Sequence, residues 1–195
     1  MPPAEPKDGL DLDADAADLS VSGFSSLLAR LAEGLVPSVA LVAGSARGGG
    51  LGVAAACDVV VATDAARFCL SEMLFGLVPA AIWPVLQRRV SEAALCRWAK
   101  TAVTFDAHEA LKLGLVDEVV DASEAQARLI VHRKALRRPS VQAHARLQAL
   151  CRASRSSSLA EAIHRGALET TAALHEPDVV EARRRFAEGD VPWTR

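Results

Sequence analysis

The spacing of apolar residues changes several times along the chain and predicts strands alternating with helices, followed by a helical tail. A helix is predicted from Ser25 or Ser26, since four leucines recur at helical spacing: Leu27, Leu28, Leu31 and Leu35. Gly34 is placed to end this helix, because glycine readily adopts positive φ. The continuous apolar run at 36–43 predicts a strand buried on both faces, as in a parallel sheet.

The same alternation continues toward the C-terminus. Short strands are predicted at 59–62, 67–70 and 115–120, and helices at 91–100, 106–113 and 179–187. Ser91 is placed to cap the first of these helices. Asp106 and Glu109 form a carboxylate version of a capping box at the start of the second. The pattern therefore predicts an α/β class of fold.

These elements divide the chain into three parts. Residues 1–23 are rich in Asp, Ala, Pro and Ser without an apolar period, so we interpret them as an acidic flexible leader, with structure starting near Phe24. Residues 24–122 form the predicted α/β core, and residues 123–195 form a C-terminal helical region. A length of 195 residues fits one domain with an appendage and a substantial core.

Composition excludes several classes of protein. With 51% apolar and 24% charged residues, the chain is neither disordered nor fibrous. The longest uncharged run, 73–86, contains glycine and prolines and is too short to span the roughly 30 Å of bilayer hydrocarbon. The first residues lack the basic and apolar regions of a signal peptide. We therefore expect a cytoplasmic protein without a membrane span.

Cysteine usage agrees with a reducing compartment. The four cysteines are too widely spaced for a CxxC metal site, and each lies in apolar surroundings: Cys57, Cys69, Cys96 and Cys151. We interpret them as buried thiols and expect no metal.

A net charge of -2 hides a strong asymmetry along the chain. Residues 5–18 carry six acidic side chains against Lys7 alone, whereas residues 128–155 carry eight basic side chains and no acid. The basic stretch indicates either a solvated helix face or a surface for an anionic partner, such as a phosphate-bearing group or an acidic carrier domain. Nucleic acid is disfavoured, since no aromatic residues are interleaved with the basic ones.

The glycine-rich segment Gly48-Gly49-Gly50-Leu-Gly52 follows a predicted strand and precedes a run of small residues. Glycine lets a backbone approach a ligand closely, and free N–H groups at a helix start favour negative charge. The segment matches neither a Walker A loop nor a dinucleotide-binding fingerprint. It therefore indicates either a site for an oxyanion or phosphate, or a structural turn with tight packing.

Glu72 is a single carboxylate inside an otherwise uncharged run. Burial among apolar neighbours raises the pKa of a carboxyl group toward neutrality, as general acid–base catalysis requires. The structural alternative is an acid that caps the N–H groups of a helix start. Glu72 is thus the candidate catalytic residue.

Taken together, these residues resemble the crotonase superfamily, the enoyl-CoA hydratases and isomerases. The resemblance lies in Gly48 to Gly50, the pair Cys57-Asp58, then Glu72, and the segment 105–117. It covers about residues 35–120 strongly and the helical tail loosely. Within the superfamily, the segments 70–80, Arg88-Arg89 and 189–193 are most similar to the dehydratase-like homologue of polyketide β-branching cassettes.

The resemblance implies repeated ββα turns, a helical tail used to form a homotrimer or a dimer of trimers, and a thioester substrate carried on CoA or phosphopantetheine. No further cofactor is implied. Gly49 would donate one backbone N–H to an oxyanion hole, and Glu72 would move a proton at the carbon next to the thioester. Leu10 matches the second oxyanion donor, and the substrate-binding residues would be Ala46, Gly48 and Gly50.

One departure from the family pattern affects the reaction. Gly52 occupies the position of the second catalytic glutamate of the hydratases, so ordinary hydration is disfavoured. The β-branching homologues resemble this chain in having glycine there, and they dehydrate 3-hydroxy-3-methylglutaryl on an acyl carrier protein. The resemblance therefore implies this lyase reaction, with double-bond isomerisation as the alternative enzymatic reading.

A second departure concerns the N-terminus. The family places several strands before the matched region, but only thirty-four residues precede Leu35. The first turns of the fold are therefore expected to be missing, through a shortened gene model, a natural truncation, or a non-catalytic paralogue that binds a carrier or partner subunit.

Overall fold

Helices and two small sheets alternate along the chain in the computed structural model. It describes residues 14–34, 36–138, 144–145, 147–148, 151 and 159–189. The helices are α1 (Ala14–Glu33), α2 (Gly49–Ala56), α3 (Trp83–Leu86), α4 (Glu92–Thr101), α5 (Ala107–Lys112), α6 (Ala125–Leu136), α7 (Leu159–Leu174) and α8 (Pro177–Ala187). The strands are β1 (Val39–Val42), β2 (Ser45–Arg47), β3 (Val59–Thr63), β4 (Arg67–Cys69), β5 (Phe105–Asp106) and β6 (Glu118–Val120). A 3-10 helix covers Glu72–Phe75.

The chain visits the two sheets in turn. One sheet is parallel, with strand order β1-β3-β6, and the other has the order β2-β4-β5 with β2 and β4 parallel. Strands β1 and β2 are followed by α2, and β3 and β4 then return beside them, so that Val39 pairs with Val59 and Ala46 with Phe68. This repeated strand–strand–helix unit is the α/β architecture that the resemblance implied.

Small side chains and a few aromatic rings fill the core. Ala54, Ala55 and Ala56 of α2 are buried, which lets the helix approach the strands closely. The Trp98 and Phe105 rings stack with centroids 3.8 Å apart and tie α4 to β5. Among the described helices, none has the length and apolarity needed to cross a membrane.

Helix α1 begins at Ala14, so residues 14–23 belong to a helix rather than to the predicted leader. The alanines of this stretch, Ala14, Ala16 and Ala17, favour a helix. The helix then continues through Val21, whose carbonyl accepts from the Ser25 hydroxyl at 2.8 Å.

Leu28 is fully buried, and α1 packs against α7. The helix ends at Glu33, directly before Gly34 as predicted, but Gly34 does not have the positive φ that was expected. Glycine fits there because a Cβ would overlap the carbonyl oxygen of Arg30.

Strand β1 is shorter and less buried than the sequence predicted. It covers only Val39–Val42, and all four residues are half-buried. Among the described strands, β1 is an outer strand of its sheet and has a neighbour on one side only. Ser38 lies outside the strand, since its backbone N–H donates to the Asp58 carboxylate at 2.7 Å. The apolar run therefore marked the right element but not its ends.

The predicted caps are present where the structure describes them. The Ser91 hydroxyl accepts from the N–H of Ala94 at 3.4 Å, and the Asp106 carboxylate accepts from the N–H of Glu109 at 2.8 Å. Glu109 does not return a bond to Asp106. Its carboxylate accepts from the side chains of Arg97 and Trp98 instead, so the second half of the capping box is replaced by a tertiary contact.

Candidate active site

Two loops that are separated in sequence meet at the C-terminal ends of β2 and β4, in the second sheet. Strands β2 and β4 are parallel neighbours, so the residues that follow them lie side by side. Gly48 follows β2 and Glu72 follows β4 by a short turn. The N–H of Gly48 donates to the carbonyl of Cys69 at 3.1 Å, which joins the two loops directly.

Gly48 is glycine for two physical reasons. Its φ of +47° lies in the left-handed region, where a side chain is strained. A Cβ at this position would also lie 3.1 Å from Oε1 of Glu72. Any other residue would therefore press against the carboxylate, and the glycine lets Glu72 lie against the backbone that opens α2.

The Glu72 carboxyl group is largely shielded from solvent. The residue as a whole is half-buried, but its Oε2 atom is buried and has no hydrogen-bond partner among the described residues. Burial raises the pKa of the Glu72 carboxyl above its usual range, and its own backbone N–H offsets part of that effect. A carboxyl group whose pKa is raised in this way is better suited to general acid–base catalysis than a fully solvated one.

Gly49 is the first residue of α2, as the predicted oxyanion donor should be. The hydrogen bonds of the helix begin with the N–H of Gly52 donating to the carbonyl of Gly48 at 3.1 Å. The N–H groups of Gly49 and Gly50 precede that first bond and are free of the helical ladder. A Cβ on Gly49 would lie 3.2 Å from the Phe24 ring, so α1 covers one side of this helix start.

The other predicted substrate-binding residues fall into different environments. Gly50 is exposed, and a Cβ there would meet open space. Ala46 is buried in β2 opposite Phe68, so its methyl group belongs to the core. Leu10, the predicted second oxyanion donor, lies outside the described residues.

Gly52 and Ile82 form a contact that sequence reasoning missed. A Cβ on Gly52 would overlap Cγ2 of Ile82 and lie 2.7 Å from its Cβ. Ile82 is 2% exposed and precedes α3. Position 52, which the resemblance matched to a second glutamate, thus has no room for a side chain, because an isoleucine from another element fills the adjacent space.

Arg89 is a second residue whose role was not predicted. Its guanidinium donates to the carbonyls of Ala55, Cys57 and Asp58 at 3.1, 2.6 and 2.9 Å. It also forms an ion pair with Asp117 at 3.1 Å, and its side chain is only 13% exposed. These bonds hold the C-terminal end of α2, the helix whose N-terminal end forms the candidate site.

The 3-10 helix that carries Glu72 is supported by α8. The rings of Phe75 and Phe186 meet edge to face with centroids 4.8 Å apart. Gly76 ends the 3-10 helix with φ +73°, and a Cβ there would lie 3.3 Å from Cγ2 of Val179. The C-terminal helix is therefore packed against the loop that positions the candidate catalytic residue.

In the part of the chain that the structure describes, the cysteines form no disulfide and no metal-binding cluster of His, Cys, Asp or Glu occurs. Cys57 and Cys69 are buried as predicted, and burial raises the pKa of both thiols. Cys96 and Cys151 are only half-buried, contrary to the prediction for all four.

The fold and this site define a protein class: strand–strand–helix repeats, a glycine-rich helix start and a desolvated glutamate characterise the crotonase fold. The family model for enoyl-CoA hydratase/isomerase matches residues 7–195. The chain belongs to the enoyl-CoA hydratase/isomerase family.

Curated relatives include hydratases and dehydratases. A Mycobacterium bovis protein named as a probable enoyl-CoA hydratase, echA8, is 36% identical over 113 residues, covering 57% of this chain. The carnitinyl-CoA dehydratase of Proteus mirabilis is 32% identical over 187 residues, 92% of this chain and 70% of its own length. The bacillaene synthase dehydratase PksH of Bacillus subtilis is 32% identical over 108 residues, 55% of this chain and 40% of its own length.

Solved structures agree with this assignment. An enoyl-CoA hydratase from Mycobacterium avium subsp. paratuberculosis K-10 matches with a TM-score of 0.80 at 28% identity, over 92% of this chain and 73% of that one. Bacillus subtilis PksH matches with a TM-score of 0.79 at 25% identity, over 90% of this chain and 73% of that one. The alignment spans only 44% of the first mycobacterial relative's length.

Proposed function

We propose that this chain is a lyase that dehydrates 3-hydroxy-3-methylglutaryl on an acyl carrier protein to 3-methylglutaconyl, a step of polyketide biosynthesis. One observation carries the proposal: a single desolvated carboxylate, Glu72, lies beside the free N–H groups of α2, and Ile82 fills the space next to Gly52. Similarity to PksH, named as a bacillaene synthase dehydratase and, for its solved structure, as a polyketide biosynthesis enoyl-CoA hydratase, supports the choice of substrate.

Glu72 is the proposed proton shuttle. Its carboxylate takes a proton from the α-carbon of the bound thioester, and the electrons of that C–H bond move onto the thioester carbonyl. The bond from the β-carbon to its hydroxyl group then breaks as the α–β double bond forms. The hydroxyl leaves as water with the proton that Glu72 had taken, so the carboxylate is ionised again at the end.

The start of α2 is proposed to stabilise the enolate charge that develops between these steps. The N–H of Gly49 would donate to the thioester oxygen, and the positive end of the helix dipole adds to this effect. The N–H of Leu10 would be the second donor. Gly48 and Gly50 would line the acyl group, whereas Ala46 could contribute only its backbone, since its methyl group is in the core.

The carrier is proposed to bind a basic surface on α6. Four basic side chains at its C-terminal end are exposed: Arg133, Lys134, Arg137 and Arg138. They can attract the acidic surface of a carrier domain, which would deliver the thioester on its phosphopantetheine arm without any other cofactor. Neither nucleic acid nor a membrane is proposed as a partner.

We further propose that the chain works in the cytoplasm as a homotrimer or a dimer of trimers. Exposed apolar side chains around the 3-10 helix and α8 support association: Met73, Val78, Val180 and Phe186 are 42%, 49%, 50% and 53% exposed. Light scattering on the purified chain measures the mass of the assembly directly.

A panel of thioesters tests the proposed reaction against its alternatives. Intact-carrier mass spectrometry should show loss of one water from 3-hydroxy-3-methylglutaryl carrier protein, with slower turnover of the corresponding CoA thioester. A shift of the double bond in a 3-enoyl thioester, without loss of water from the hydroxy substrate, would assign an enoyl-CoA isomerase. Carrier binding without turnover of any thioester would assign the non-catalytic paralogue instead.

A further inference from the structure

We propose that Arg47 is a specificity-determining residue that binds the second carboxylate of the substrate and so selects acyl thioesters that end in an acid. The proposed function names the 3-hydroxy-3-methylglutaryl group but assigns no residue to its distal carboxylate. This inference rests on that function and deepens it, because it assigns recognition of the part of the acyl group that does not react.

Arg47 is the last residue of β2 and comes directly before Gly48. A Cβ on Gly48 would lie 3.1 Å from Oε1 of Glu72, so the Cα of Arg47 is no more than about 8.5 Å from that oxygen. In the proposed substrate, three carbons separate the thioester carbonyl from the second carboxyl carbon, and Glu72 acts on the first of them. The long side chain of Arg47 can therefore reach the distal end of an acyl group held at Glu72.

The side chain of Arg47 points away from the core. Along β2, Ser45 and Arg47 are exposed and Ala46 between them is buried, so the two polar side chains share the outer face of the strand. Nε of Arg47 donates to the Ser45 hydroxyl at 3.2 Å. Among the described residues, its two terminal nitrogens have no hydrogen-bond or ion-pair partner. They remain as donors for a carboxylate, which arginine binds in a two-pronged geometry.

Two other arginines of neighbouring elements are engaged by the protein itself. Arg67, at the opposite end of β4, donates to the carbonyls of Asp64 and Ala66 at 3.0 and 2.8 Å. The guanidinium of Arg89 holds the C-terminal end of α2. Arg47, in contrast, is placed to meet an anion that the substrate brings to this end of the second sheet.

The charges of Arg47 and Glu72 both act on the Cys69 thiol, which follows from the pairing of Arg47 with Cys69 across β2 and β4. Burial raises the pKa of the Cys69 thiol, the positive charge of Arg47 opposes this rise, and the negative charge of Glu72 adds to it. The raised pKa of Glu72 itself comes from burial, opposed by its own N–H. The two groups thus flank Cys69 without pairing with each other, so the guanidinium is available to a substrate anion.

A carboxylate that is covered by the protein needs a partner, because burying an unpaired charge is costly. Arginine supplies that partner through two parallel charge-assisted hydrogen bonds, whereas a neutral ester gains little from the same group. The phosphate of the phosphopantetheine arm is the other anion of this substrate. The whole pantetheine arm separates it from the thioester, so a residue beside Gly48 is assigned to the acyl carboxylate.

Matched substrates test the assignment. The probes are 3-hydroxy-3-methylglutaryl carrier protein and its methyl ester at the second carboxylate, which lacks that negative charge. The ratio of kcat/KM for the acid over the ester should fall at least about fivefold in Arg47→Met, because a charge-assisted pair is lost. A smaller fall would overturn the inference. Equal losses for acid and ester would also overturn it, since they would place the guanidinium at the phosphate that both probes carry.

Arg67→Met is the matched control. Arg67 pairs with Ser45 in the register of the same two strands, but its guanidinium is bound at their other end. The variant removes the same charge and should keep the ratio of acid over ester, which does not depend on the fraction of protein that is folded. An equal fall of the ratio in Arg67→Met would show an effect of net charge and would contradict a specific role for Arg47.

Binding in a Glu72→Gln background separates this inference from the proposed reaction. There, Arg47→Met should raise the Kd of the pantetheine thioester of the acid at least about fivefold more than that of the ester. Such a result, combined with no loss of water from any thioester in the original chain, would overturn the proposed dehydration and leave the carboxylate site in place. Loss of water from the acid, with no selective change in Kd, would overturn the role of Arg47 alone.

Discussion

At the scale of the residue, the account depends on the desolvated carboxyl group of Glu72. Its pKa is raised in the folded protein, so the folded state binds its proton more tightly than the unfolded state does. This group therefore lowers stability as pH rises from the usual carboxyl range through the raised pKa. Below that range its contribution to the pH dependence disappears.

The raised pKa of Glu72 gives a prediction about stability that can be tested without measuring enzymatic turnover. Glu72→Gln should be more stable than the original chain at neutral pH, and the difference should shrink as the pH is lowered past the ordinary carboxyl pKa. Denaturation of both proteins across this pH range measures the effect. A constant difference between them would show that Glu72 is not desolvated.

Gly49 carries the second prediction at this scale. Gly49→Val should weaken thioester binding and turnover together, with turnover falling by about 10² to 10³ if the N–H is displaced from the oxyanion. The branched side chain would press on the Phe24 ring, which lies 3.2 Å from where even a Cβ would be. Thioester titration and initial rates measure the two effects. Gly23→Ala, at an exposed position of α1 where a Cβ meets open space, serves as the control, and unchanged binding in Gly49→Val would mean that the glycines form only a turn.

Single residues were predictable from the sequence where their chemistry is local. Gly49 and Glu72 were found because a glycine run after a strand and an acid in an apolar run are visible patterns. Ile82 and Arg89 were not, because an isoleucine and an arginine have no distinctive local pattern. Their roles exist only through contacts with α2 about thirty residues earlier in the chain.

At the scale of the element, α2 is positioned from both of its ends. Glu72 and Phe24 lie against its N-terminal glycines, and Arg89 binds the carbonyls at its C-terminal end. A shift of this short helix would move the N–H of Gly49 relative to Glu72. The ion pair of Arg89 with Asp117 also links this end to the first sheet, since Asp117 accepts from the N–H of Val60 at 2.7 Å.

Arg89→Met should therefore lower the free energy of unfolding by about 1 to 3 kcal/mol, since it leaves the carbonyls at the end of α2 without their donor, whereas Asp117 keeps its bond from the N–H of Val60. Denaturant unfolding measures this loss. Arg97→Met is the matched control, because Arg97 pairs with Glu109 at an exposed position, where an ion pair contributes about 0 to 1 kcal/mol. Similar losses in both variants would contradict a structural role for the Arg89 contacts.

Elements were predicted better than their ends. The helix starts at Gly49 and after Ser91 follow from glycine and capping chemistry, which acts within a few residues. The last helix begins at Pro177 rather than at Val179, since proline fits the first turn of a helix. The longer α1 and the shorter β1 depend on packing against α7 and on the sheet edge, which the local sequence does not contain.

At the scale of the whole molecule, the parallel pairing of β2 and β4 brings the loops that follow these strands to the same end of the second sheet. The two loops hold the candidate proton shuttle and the candidate oxyanion donor. The family resemblance implied this topology, and the family match and the solved structures agree with it. Local patterns predicted β1, β3, β4 and β6 but missed the short strands β2 and β5. They also did not predict how the strands pair, because pairing in parallel sheets joins residues separated by whole helices.

The most direct test of the central claim compares Glu72→Gln with the original chain on 3-hydroxy-3-methylglutaryl carrier protein, by intact-carrier mass spectrometry. The variant should keep its fold and its binding of the carrier but lose water elimination by about 10²-fold or more, because an amide cannot take the α-proton. Glu92→Gln, at an exposed helix start, should retain full activity. Equal loss of water in Glu72→Gln and the original chain would contradict the account of this site.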